Sequence, residues 1–147
     1  MKDLDIIRHW RANRSTYNLE QVESARQAIL EIFMEVCDQL AEVTITASDE
    51  GSVADNYFNK AVEAMRKTKV PEMTGADAER KVKIDEDYIT LSEIARQFKS
   101  AEKSLTIQKD KLKITLDVMK QDIATMKEER RYGLQSVSNK VEQDFEY

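Results

Sequence analysis

The chain is expected to be all-α, with two or three shorter N-terminal helices followed by one long C-terminal helix of coiled-coil type. Three observations say so. Glycine and proline number 3 and 1 in 147 residues, against usual shares of roughly 7% and 5%, and a sheet cannot be turned repeatedly without them. Only 41% of residues are hydrophobic while 35% are charged, so buried faces must be thin stripes on long elements. From Ile84 to Met126 an apolar residue returns at every seventh position without a miss, the period of helices packed side by side.

Residues 3–14 read as a short first helix, with Leu4 and Ile7 facing inward and Trp10 as a further candidate. Asn18 is a good N-cap and Gln21 stands three positions on, a capping-box-like start. Val22, Ala25, Ile29, Ile32, Phe33, Val36 and Leu40 then follow the three-four spacing of one helical face. The opposite face carries Glu20, Glu23, Glu31, Glu35 and Asp38. This helix is expected to end between Ala41 and Thr46, where the β-branched run Val43-Thr44-Ile45-Thr46 frays it, unless tertiary contacts extend it.

Ser48 to Ser52 is a turn candidate, with Gly51 as the stop and Ser52 as a new N-cap. A helix over 53–69 places Val53, Tyr57, Ala61, Met65 and Thr68 on one line, with Phe58 and Val62 beside it. It closes on Arg66, Lys67 and Lys69, cations suited to the negative end of a helix dipole. Pro71 and Gly75 interrupt both periodicities, which makes 70–77 a linker and hinge between an N-terminal region, 1–69, and the long helix over 78–133.

With Tyr88 as heptad position a, the d positions are Ile84, Leu91, Phe98, Leu105, Leu112, Met119 and Met126. Leu116 and Ile123 add apolar a positions. No glycine or proline falls between Asp85 and Arg131, so one helix of about 70 Å is expected at ~1.5 Å per residue. Gly133 is the natural stop, with 134–147 as a loose tail or short helix. Glu102 and Lys109 are polar a residues. Such residues set register and oligomer number at a cost in stability; they could pair between chains, or the seam could pack on the protein's own helices while they snorkel. Ile107 and Ile114 lie off the stripe and suggest a second buried face, as in a bundle or ring. The self-association surface is therefore expected along Ile84, Tyr88, Leu91, Phe98, Leu105, Leu112, Leu116, Met119, Ile123 and Met126.

Charge is uneven. The net is −5, and residues 20–42 hold six acids and one base. Between residues 66 and 83 the balance inverts: Arg66, Lys67, Lys69, Arg80, Lys81 and Lys83 face three acids. Local field decides where a polyanion docks, more than the sum does. Arg8, Arg11 and Arg14 bracket Trp10 and stand near Tyr17, and bases interleaved with aromatics are how sequence-tolerant single-strand binders hold phosphates and stack bases. The ordinary alternative is that these cations solvate helix surfaces.

Catalysis has little to work with. His9 is the only histidine and Cys37 the only cysteine, so no disulfide or cysteine-based zinc site forms within the chain, and a triad or dyad would have to use a histidine in an end segment prone to fraying. Asp85, Glu86 and Asp87 point about 100° apart on a helix and read as first-turn dipole partners rather than metal ligands. No phosphate-loop, HExxH, GxSxG or EF-hand spacing occurs, so neither enzyme activity nor a cofactor is expected. No apolar run approaches the ~18 residues of a membrane span, and Met1 to Trp10 has no signal-peptide core; a reducing, cytoplasmic location is expected, the host's cytoplasm if the chain is phage-encoded.

The segment Arg80-Lys81-Val82-Lys83-Ile84-Asp85-Glu86-Asp87-Tyr88, the long final helix, and the ending Arg131-Tyr132-Gly133-Leu134 through Val137, Asn139, Val141-Glu142 and Phe145 resemble the phage recombination mediators of the UvsY type. The resemblance implies a ring-like homo-oligomer that binds single-stranded DNA and helps a recombinase displace single-strand-binding protein. It further implies assembly through the C-terminal helices and DNA contacts from bases such as Lys67, Lys69, Arg80, Lys81 and Lys83. The competing expectation is a coiled-coil structural or adaptor protein that acts through protein partners alone.

Overall fold

The fold, taken from a computed structural model, is all-α: four helices and one 3-10 turn in the order α1 (Lys2–Asn13), the turn Arg14–Thr16, α2 (Leu19–Thr68), α3 (Gly75–Lys83) and α4 (Glu86–Asp144). The backbone is described for residues 2–68 and 74–144, and side chains for 5–67 and 74–133. The chain divides into two compact units, 1–35 with 109–147, and 36–108.

The start of α2 follows its local chemistry. The Gln21 amide donates to Asn18 Oδ1 at 2.8 Å and the Asn18 amide donates to Gln21 Oε1 at 2.9 Å. Two amides that no helical carbonyl reaches are thus satisfied reciprocally.

Three expected boundaries are corrected. The turn at Ser48–Ser52 does not exist: α2 runs through it for 50 residues. Ala47 and Ala54 on either side are buried, and their packing outweighs the ~1 kcal/mol that a mid-helix glycine costs. A Cβ at Gly51 would meet nothing within 4 Å. Gly51→Ala should therefore raise stability by about 0.5–1 kcal/mol, read as a higher urea midpoint at unchanged slope; a lower midpoint would mean that the glycine is needed for close approach.

The second correction concerns the hinge. Residues 70–73 lie outside the described residues, but 75–77 are helical, because Thr74 caps α3: its Oγ1 accepts from the Asp77 amide at 3.3 Å and donates to the Asp77 carboxylate at 2.8 Å. A further interruption, not expected from the sequence, falls at Ile84–Asp85 between α3 and α4. The Asp85 amide closes back on the Val82 carbonyl at 3.0 Å, and the Asp85 carbonyl accepts from Ile89 to open α4. Glu86 and Asp87 occupy the first turn of α4, the favourable place for anions on a helix dipole. The long helix thus begins at Glu86 rather than at 78, and Ile84, between the helices, is 74% exposed.

The third correction is at Gly133, which does not end α4; the helix continues to Asp144. A single glycine costs about 1 kcal/mol among good helix formers and stops a helix only when capping or a breaker follows.

In the first unit the buried side chains are mostly large: Trp10, Val22, Ile29, Leu112, Leu116 and Met119, with Thr115 satisfied by the Lys111 carbonyl at 3.0 Å. Arg14 clamps Asp122 through two bonds, at 2.6 and 2.8 Å. Lys127 reaches Glu23 at 3.4 Å. In the second unit the buried residues are smaller: Val36, Ala47, Ala54, Ala78 and Val82. Small residues let helix axes approach to the short end of the usual 8–10 Å range. Ala54, not Val53, faces this core, because the register carries over unbroken from Ala47, two turns earlier; Val53 is 48% exposed.

The apolar seam of α4 is covered in part within the chain. Leu112, Leu116 and Met119 belong to the core of the first unit, and Ile123 and Met126 are half-buried there. In the second unit Tyr88, Leu91, Phe98 and Leu105 are half-buried, and the Tyr88 ring packs against Phe58 with centroids 5.2 Å apart. Glu102 accepts a 3.4 Å hydrogen bond from Thr44 of α2. Of the residues expected along the self-association surface, Leu112, Leu116 and Met119 are covered within the chain, the others keep exposed area, and Ile84 is open. Ile107 and Ile114 are exposed in the single chain.

Candidate nucleic-acid interface

The second unit holds the described bases of the 66–83 cluster on two elements. Arg66 and Lys67 lie in the last turn of α2, and Arg80, Lys81 and Lys83 in the last turns of α3. Lys69 lies outside the described residues.

α3 is short, and its sequence decides which way its cations point. Ala78 and Val82, one turn apart, are fully buried, which leaves Arg80, Lys81 and Lys83 on the exposed remainder of the cylinder. The junction to α4 is braced from α2: the Tyr57 hydroxyl donates a short hydrogen bond to the Asp85 carboxylate. That bond, with burial adding to it, pushes the Tyr57 pKa up to about 12 and keeps the hydroxyl protonated.

The cations differ in how free they are. Lys67 is held by Glu63 at 2.7 Å, and the ammonium keeps the Glu63 carboxyl below its ordinary range. Arg80 stands 3.8 Å from Asp77, a loose pair on the surface. Arg66, Lys81 and Lys83 are exposed and carry no ion pair among the described residues. Each of these three unpaired cations can hold a phosphate oxygen at little reorganisation cost.

The N-terminal arrangement of bases and aromatics is put to another use. Trp10 is buried, with the Arg14 guanidinium 5.5 Å from its ring centroid, so its face is not open to a base. The Asp122 carboxylate holds that guanidinium by hydrogen bonds and raises the Arg14 pKa. Arg8 and Arg11 are exposed. His9 is an exposed helix residue whose carbonyl accepts from the Asn13 side chain at 2.9 Å and whose ring lies 6.0 Å from that of Tyr17. Phe58 and Tyr88 pack on each other. In the N-terminal segment Trp10 is closed to stacking while Tyr17 is half-buried beside the His9 ring, and residues 66–83 contain no aromatic, so phosphate contact is the chemistry open to the second basic cluster.

Among the described residues no three of His, Cys, Asp and Glu converge as metal ligands would, and no helix is long and apolar enough to cross a membrane. Comparison with protein-family profiles, with curated proteins and with solved structures gives no match.

Proposed function

We propose that this chain is a non-enzymatic, oligomeric assembly factor that binds single-stranded DNA through phosphates, in the manner of a mediator that helps a recombinase load against single-strand-binding protein. The observation that carries the reading is that Arg66 at the end of α2 and Lys81 and Lys83 on α3 are exposed cations with no ion pair among the described residues. The recombinase and the single-strand-binding protein enter through the resemblance of residues 80–88 and 131–145 to the UvsY-type mediators.

With no aromatic residue between 66 and 83, binding there is expected to be indifferent to base identity and strongly dependent on salt, since phosphate contacts release counterions. The Lys81→Glu/Lys83→Glu double variant removes two such contacts. At ~0.7 per phosphate on a single strand, the slope of log affinity against log salt should fall by about 1.4. Fluorescence anisotropy of a labelled oligonucleotide measures it. No binding by the wild type at about 20 mM salt, where counterion release favours it most, rejects the reading.

A protein-only adaptor is the second reading, favoured by the net charge of −5 and by exposed Met34, Ile45, Ile107 and Ile114. It predicts that the Lys81/Lys83 reversals change nothing measurable.

A further inference from the structure

Lys81 is flanked along α3 by an acid one turn to either side. Asp77 stands four residues before it and Asp85 four residues after it, the spacing at which a carboxylate and an ammonium meet on a helix surface. The backbone stays in the helical region as far as Ile84, at φ −98° and ψ −2°, and the Asp85 amide still closes back on Val82 at 3.0 Å. Lys81 nevertheless has no ion pair among the described residues. Each acid is taken by a hydroxyl instead. The Thr74 hydroxyl donates to one oxygen of the Asp77 carboxylate at 2.8 Å, and Arg80 stands 3.8 Å from the other. The Tyr57 hydroxyl reaches across from α2 and donates to the carboxylate of half-buried Asp85.

We infer that Tyr57 is a positioning residue of the phosphate-binding cluster: by occupying the Asp85 carboxylate, its hydroxyl keeps Lys81 unpaired and open to a phosphate. A hydroxyl satisfies a carboxylate without bringing a charge of its own. The bond persists through the neutral range, because the hydroxyl holds its proton up to a pKa of about 12. Asp85 is the acid that matters, since Asp77 already has two partners and Glu86 and Asp87 sit in the first turn of α4, where the helix dipole favours anions. Phenylalanine at position 57 would keep the ring and remove the donor. The freed carboxylate would then find the cation one turn back on its own face, Lys81, and a phosphate would have to displace it. The effect on strand binding rests on the DNA reading above, whereas the release of Lys81 does not.

Two readouts test it on the full chain at about 20 mM salt, where exposed pairs are least screened. One is the rate at which a succinimidyl ester labels Lys81 without DNA, followed by mass spectrometry; pairing lowers the fraction of free amine and slows it. The other is the affinity for a labelled single-stranded oligonucleotide. Tyr57→Phe should lower both by about twofold, the size of one pair at this helical spacing, with helix content unchanged by circular dichroism. In an Asp85→Asn background the same substitution should change neither, because no carboxylate is left to compete. Thr74 is not the residue to vary, since its hydroxyl also caps α3. Equal Lys81 labelling in wild type and Tyr57→Phe overturns the inference. So does a loss from Tyr57→Phe that is the same with aspartate or asparagine at position 85, for Tyr57 would then act through the fold and not through that charge. If Lys81 labelling behaves as expected and wild type binds no oligonucleotide, the release of Lys81 stands and only the DNA reading is rejected.

Discussion

Leu112→Asp should unfold the first unit under conditions where Ile114→Asp leaves it intact, although the two positions lie on the same helix two residues apart. Leu112 is 6% exposed and Ile114 is 63% exposed. At Leu112 the substitution removes a buried apolar side chain and leaves a cavity, worth about 2–5 kcal/mol in comparable truncations. It also places a carboxyl group where nothing solvates it. A loss of about 3 kcal/mol or more is a large share of the 5–15 kcal/mol that holds a typical domain together. At Ile114 the effect should stay within about 0.5 kcal/mol, as for other surface substitutions. Urea unfolding followed by far-ultraviolet circular dichroism measures both. Equal losses at the two positions would mean that Ile114 is covered as well, and that the helix face assigned to solvent is a contact.

Trp10→Ala should cost about 3–5 kcal/mol, the usual range for a buried large aromatic. The indole belongs to the buried set of the first unit and lies under the Arg14 guanidinium, which Asp122 of α4 holds in place. Removing the ring therefore also takes away the surface on which the Arg14–Asp122 clamp rests. Trp10→Phe is the informative control. The Trp10 Nε1 is buried without a hydrogen-bond partner among the described residues, and an unmet N–H is itself destabilising. Phenylalanine keeps most of the apolar area and removes that donor, so its midpoint should lie much closer to wild type than that of alanine. If the two variants unfold together, the polar edge of the indole matters more than its area, and a partner for Nε1 exists.

The elements were legible where the signal was local. The reciprocal Asn18–Gln21 cap, the apolar line from Val22 to Leu40 and the role of Glu86 and Asp87 as first-turn anions could all be read from side-chain chemistry at fixed spacing. Two local signals were passed over: Thr74 with Asp77 three residues on marks the start of α3, and Asp85 marks the start of α4. What misled was the weight given to Gly51 and Gly133. Each costs about 1 kcal/mol in a helix, which decides the conformation of a peptide but not of a segment flanked by buried Ala47 and Ala54.

The candidate interface was legible as composition and not as arrangement. Arg66, Lys67, Arg80, Lys81 and Lys83 could be named from the charge inversion alone. Only the packing showed that Ala78 and Val82 orient the α3 cations outward, that Lys67 is held by Glu63, and that Trp10 is closed to stacking.

The sequence alone determined that the chain is helical and that α4 carries a continuous apolar stripe, since periodicity and the scarcity of glycine and proline are properties of the chain itself. Only the tertiary structure decided what covers that stripe. A heptad pattern specifies a helical partner without saying whether the partner is the same chain or another copy, because apolar burial is non-directional and rewards either arrangement alike.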